Sequence, residues 1–213
     1  DALSGHLASR LSLEFQLTWQ LWAETGRTSR QCLALLEQQH SEPFDAVLLS
    51  LGVNDVTSVL SRQQWLALQS LLADQLMEKF KARHVIFTSL PPMHHFPALP
   101  QPLRWVLGLR AKQFNRGLKA LVEKRPSCHL LVFDLPMQTE FIAADGFHPS
   151  AKTYGLWAKQ AAELIEPFLF RAHLRTDRSD IRILLCSERC ESFDFGNVVF
   201  CYGCGILKLS FGL

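Results

Sequence analysis

The chain has 213 residues, 48% of them hydrophobic and 20% charged, so it holds enough apolar material for a buried core and too little charge excess for disorder. Lys and Arg number 22 against 20 Asp and Glu, a net of +2, with no basic stripe or acidic tail in view, so nucleic acid is not an expected partner. No apolar run approaches the ~18–20 residues that span a bilayer, which excludes a membrane-spanning helix.

The chain opens at Asp1 and moves straight into a helical pattern, Leu3, Leu7, Ala8 and Leu11. No basic stretch followed by an apolar one marks a secretion leader there, although an upstream segment stays open. Leu17, Trp19 and Leu21 alternate as a short strand ending before Thr25-Gly26. Cys32, Leu33, Leu35 and Leu36 predict a helix to about Gln39, with Thr28 or Ser29 as its N-cap. Ala46 to Leu49 reads as a strand buried on both faces. Ser61 to Phe80 is a long amphipathic helix, and Val85 to Phe87 the next strand. A proline-rich loop over 91–102 precedes a helix over 103–124. Leu130 to Phe133 is a further strand, and a helix over 150–165 is closed by Pro167.

Strands alternating with helices at this spacing predict βαβ units and a mostly parallel sheet covered on both faces. Ligands of such folds sit beyond the carboxyl ends of the strands. Three loops there carry suitable residues. In Thr25-Gly26-Arg27, a glycine N–H can point into a crevice, or the glycine serves only the turn. In Gly52-Val53-Asn54-Asp55, the Asn54 amide can donate to a developing oxyanion, and Asp55 can brace the loop; a plain Asx turn is the competing reading. In Asp145-Gly146-Phe147-His148-Pro149, a carboxylate three residues before an imidazole can fix its tautomer and leave the other ring nitrogen as a base. The competing reading is a turn-forming Asp145 and a surface His148. His94 and His95 read as solvated, and Met93, Phe96, Leu99 and Trp105 as packing more than as an acyl pocket.

The G-x-N-D and D-G-x-H-P motifs, with Gly26 upstream, resemble the SGNH/GDSL hydrolase family over about residues 1–168. The resemblance implies a flavodoxin-like three-layer α/β/α sandwich and serine-type hydrolysis of small-molecule esters or thioesters by acyl transfer. It makes Gly26 and Asn54 the oxyanion donors, supported by Gly52 and Asp55. His148 becomes the general base and Asp145 its partner, with no cofactor and no metal. One departure matters: the family nucleophile is the serine of a G-D-S motif ending the first strand, which lies centrally in such sheets. This chain has no G-D-S, so that strand is expected to be missing and the chain to be inactive alone. A non-catalytic binding module on the same scaffold is the alternative. A second possibility is that 181–186, an apolar run followed by Ser187, fills the vacant place without the Gly-Asp pair.

The esterase-like domain is thus expected over 1–170, with 171–213 a small appendage. Cys32 and Cys128 stand alone in the body, which suits a reducing, cytoplasmic location. Cys186, Cys190, Cys201 and Cys204 crowd the tail. They could hold one zinc ion or form disulfides, but an incidental appendage is the favoured reading.

Overall fold

The computed structural model describes residues 3–24, 26–132, 139–146, 148–173, 180–187, 192–195, 198–201 and 205–210. Helix α1 (Leu3–Leu11) leads into strand β1 (Gln16–Ala23), and α2 (Ser29–Gln38) follows. Thr28 caps α2: its side chain accepts from Gln31 N–H while the Gln31 side chain returns to the Thr28 N–H. Next come β2 (Ala46–Ser50), the short α3 (Val53–Thr57) and α4 (Arg62–Glu78), the last capped in the same reciprocal way by Ser61. Strand β3 (His84–Thr88), α5 (Leu103–Val122), β4 (Cys128–Leu131) and α6 (Ala151–His173) complete the expected alternation.

The sheet has the order β4-β3-β2-β5-β1-β8, where β5 is Asp180–Ser187 and β8 is Gly205–Ser210. The first five of these strands are parallel, and β8 pairs antiparallel with the outer edge of β1. Alternate residues feed two cores. Val47, Leu49, Val85, Phe87, Leu184 and Cys186 face α2, α4 and α5. Ala46, Leu48, Ile86, Ile183 and Leu185 face α1 and α6. The result is the expected three-layer α/β/α sandwich.

Three expectations need correction. Strand β4 starts at Cys128, opposite Val85, and ends before the exposed Val132. Pairing, not the apolar run, sets its limits; Phe133 lies outside the described residues. Helix α6 does not stop at Pro167 but runs through it to His173. Ala158, Ala161, Ala162, Ile165 and Leu169 form one fully buried stripe on both sides of the proline. That packing outweighs the lost hydrogen bond.

The third correction concerns the tail. The place expected to be vacant is occupied: β5 lies between β1 and β2, parallel to both, with Ser187 in register with Ala23 on one side and Ser50 on the other. Segment 171–213 is therefore not simply an appendage. Ile181, Ile183, Leu184, Leu185 and Cys186 are apolar on both faces of the strand, and only an interior position buries both faces. Among the described residues, only the hairpin of β6 (Ser192–Phe195) and β7 (Val198–Cys201) stands apart, as a two-stranded sheet.

Candidate active site

The loops after β1 and β2 leave the sheet on either side of β5 and meet at its carboxyl end. Gly26 adopts φ 64°, a left-handed conformation suited to glycine, and turns the chain toward α2. Gly52, at φ 119°, turns the chain into α3, which carries Asn54 and Asp55. The Asn54 Nδ2 lies 3.5 Å from the carbonyl of Arg27, so the amide sits against the Gly26 turn.

Asp55 is wholly buried. Its carboxylate accepts from the Ser29 N–H at 3.1 Å, the Ser29 hydroxyl at 2.6 Å and the Trp65 indole at 3.2 Å. The Gln69 amide completes the cluster by donating to the Ser29 hydroxyl at 2.7 Å. Burial raises the Asp55 pKa from its ordinary value, and the Ser29 and Trp65 hydrogen bonds oppose that rise. Asp55 thus braces the loop, fixing α3 to the start of α2.

The loop before α6 holds the second pair. Asp145 accepts from the His148 backbone N–H at 2.9 Å, and its other carboxylate oxygen meets Nδ1 of the same residue. His148 is buried, and the turn between the two is made by Gly146 at φ 71°. The Ala143 N–H donates to the His148 carbonyl at 2.7 Å and closes the loop. A carboxylate on Nδ1 holds the Nδ1–H tautomer and leaves Nε2 as the basic nitrogen.

The loop after β3 connects the two pairs. Leu90 packs on Gly52 so closely that a Cβ there would lie 2.8 Å from its Cδ2. Farther along, the Ala98 N–H donates to the Gly146 carbonyl at 3.2 Å. Asn115 of α5 clamps the backbone of Leu90, accepting from its N–H and donating to its carbonyl, both at 2.8 Å. All four loops lie beyond the carboxyl ends of the parallel strands, where α6 must also begin if it is to feed β5.

A GDSL-like lipase/acylhydrolase family model matches residues 1–156, which include every one of these site residues. The chain belongs to that family. Among solved structures, it is similar to a Streptococcus pneumonia protein named for platelet activating factor, with a TM-score of 0.56 and 15% identity, covering 66% of this chain and 69% of that one. A lipolytic G-D-S-L family member from Veillonella parvula is 18% identical, with a TM-score of 0.48 and coverage of 65% of this chain and 74% of that one. None of the curated proteins matches. As a member of the GDSL-like family, the chain is a hydrolase by descent on the α/β scaffold that the S. pneumonia structure shares.

The remaining candidates sort by burial. Met93, Phe96 and Leu99 are core residues, while His94, His95 and Trp105 are exposed. Thr25 and Phe147 lie outside the described residues, as do Cys190 and Cys204. Cys186 is buried and hydrogen-bonded with Cys32, and that bond and burial push its thiol pKa far up. Among the described residues no group of three His, Cys, Asp or Glu could hold a metal ion. The sequence reading missed Asn115, Ser29, Trp65 and Gln69. Ser29 reads from sequence only as a possible cap, and Trp65 only as one residue of the amphipathic helix from Ser61 to Phe80.

Proposed function

We propose that the chain is a serine-type hydrolase of small carboxylic esters or thioesters acting by acyl transfer. The observation that carries this reading is the Asp145 carboxylate on Nδ1 of a buried His148. A serine hydroxyl attacks the acyl carbonyl and passes its proton to Nε2 of His148. Gly26 N–H and the Asn54 side-chain amide receive the oxyanion. His148 returns the proton to the leaving alkoxide or thiolate. Water then cleaves the acyl-serine, with His148 again taking and returning the proton, and the acid leaves. None of these steps requires a cofactor.

The nucleophile is the least conventional part. Loss of a triad serine costs on the order of 10⁶ in kcat, so a chain with no G-D-S would be inactive if nothing replaced it. That expectation assumed a vacant central strand. With β5 in that position and ending at Ser187, we assign the nucleophile to Ser187, and weak turnover to the chain because the Gly-Asp pair is absent.

Hydrolysis of p-nitrophenyl acetate and butyrate tests the reading. The chain is expected to cleave at least one slowly, and His148→Ala and Ser187→Ala each to abolish that cleavage. Cleavage that survives His148→Ala would sink the enzyme reading. Absence of any cleavage would favour the binding module on the same scaffold. Cleavage lost in His148→Ala but kept in Ser187→Ala would retain the reaction and move the nucleophile.

A further inference from the structure

Helix α5 carries Arg104, Arg110, Lys112, Arg116 and Lys119 and not one Asp or Glu. The near-neutral balance of the whole chain conceals this local concentration. Its outward stripe runs through Trp105, Leu109, Lys112 and Arg116 at successive helical turns. Trp105 is 59% exposed, and Leu103, Val106 and Leu109 beside it are also exposed. The guanidinium of Arg110 donates to the carbonyls of Ser58 and Leu60, which holds the fully exposed Val59 against the same helix. At the other end, Arg116 shares a groove with Arg62 and Lys124, while Arg125 in the same groove is paired with Asp74 and Lys119 with Glu123. One surface therefore offers an apolar tip and a cationic body.

We propose that this surface, α5 with the loop over 58–60, docks on an anionic phospholipid bilayer. Exposed Trp, Leu and Val enter the headgroup boundary, while the cations behind them meet lipid phosphates. Charge complementarity selects this occupant. A second copy would set together two helices whose charged residues are all cationic, and a nucleic acid would leave the apolar tip without purpose. No described helix is long and apolar enough to cross a membrane, so the contact is peripheral.

The surface also adjoins the candidate site from two sides. Val59 follows α3, which carries Asn54. The loop that opens α5 touches the His148 loop through Ala98 and Gly146. Docking would then present lipid esters to the crevice, a consequence that rests on the hydrolase reading; the docking itself does not.

Vesicle co-sedimentation tests the proposal, using phosphatidylcholine alone and with phosphatidylglycerol. The chain is expected to bind only the anionic vesicles, and less as salt rises. Trp105→Ser with Leu109→Ser, and separately Lys112→Gln with Arg116→Gln, should each weaken binding by about tenfold or more. All four positions are exposed, and p-nitrophenyl acetate turnover should remain as in the parent. No binding, or equal binding to neutral vesicles, overturns the proposal. So does binding that ignores Trp105 and Leu109 and is matched on duplex DNA, which would make the surface a general polyanion site. If soluble-ester turnover is absent throughout, the hydrolase reading fails while the vesicle result still decides the docking.

Discussion

Asp55 and Ser29 are joined twice, the carboxylate accepting from both the backbone N–H and the hydroxyl of the serine. This double contact ties the loop bearing Asn54 to the helix that follows Gly26. Asp55→Ala would strand the two Ser29 donors and the Trp65 indole in a buried site. Each orphaned donor costs roughly 1–3 kcal/mol, offset in part by removing a buried carboxylate. A net loss of about 2–4 kcal/mol in urea unfolding is expected, with a smaller loss for Asp55→Asn. Equal unfolding midpoints for the parent and Asp55→Ala would contradict the bracing role.

Gly52 combines a φ of 119° with a neighbour that leaves no room for a Cβ. Gly52→Ala should cost about 1–3 kcal/mol through backbone strain and the Leu90 clash. Because the same turn aims Asn54, ester turnover should fall by more than the unfolded fraction explains. Activity measured well below the variant's Tm separates the two effects.

Asp145→Asn would keep the shape of the turn but present an amide to Nδ1. The imidazole would then be free to take the wrong tautomer, and turnover should fall by roughly 10²–10⁴-fold. His148 is buried and its backbone is held by the Asp145 and Ala143 contacts, so stability should change little. Parallel kcat and unfolding measurements test this, and unchanged kcat would remove Asp145 from the mechanism.

A fluorophosphonate probe reports the nucleophile directly. Peptide mass spectrometry should find the adduct on Ser187 and lose it in His148→Ala. An adduct on Ser50, the neighbouring strand-end serine, would overturn the assignment.

His84 and His129 lie at the opposite, amino-terminal end of their strands, with Nδ1 and Nε2 3.0 Å apart and Phe168 stacked on both rings. Burial lowers the pKa of each from the ordinary 6.5; Arg83 lowers His84 further while Asp45 raises it, and His84 also lowers His129. A lowered native pKa means that the unfolded chain binds protons first as pH falls. Stability is therefore full above about 6.5 and declines below it, toward the native pKa values. Urea unfolding at pH 7.5 and 5.5 should show the decline. It should be smaller in His84→Leu with His129→Leu, even if that variant is less stable at both pH values.

The strands β2 and β3 were legible because they are apolar on both faces, α2 because its cap announces it, and α4 because its residues alternate at amphipathic helical spacing. The contact of Asp145 with His148 was legible because the two are neighbours in one turn. What escaped the sequence depends on partners distant along the chain. Nothing about Asn115 indicates that it clamps Leu90, and nothing about Trp65 that its indole reaches Asp55. The run from Ile181 to Cys186 could be read as a strand, yet its place between β1 and β2 is a matter of pairing. Local rules also misled at Pro167, where the buried stripe of α6 proved stronger.

The interior position of β5 has a consequence for biosynthesis. A nascent chain that has left the ribosome only through α6 holds β1 and β2 with no strand between them. Their facing edges stay unpaired until β5 emerges. Translation that stalled in that interval would leave a half-assembled species suited to chaperone capture.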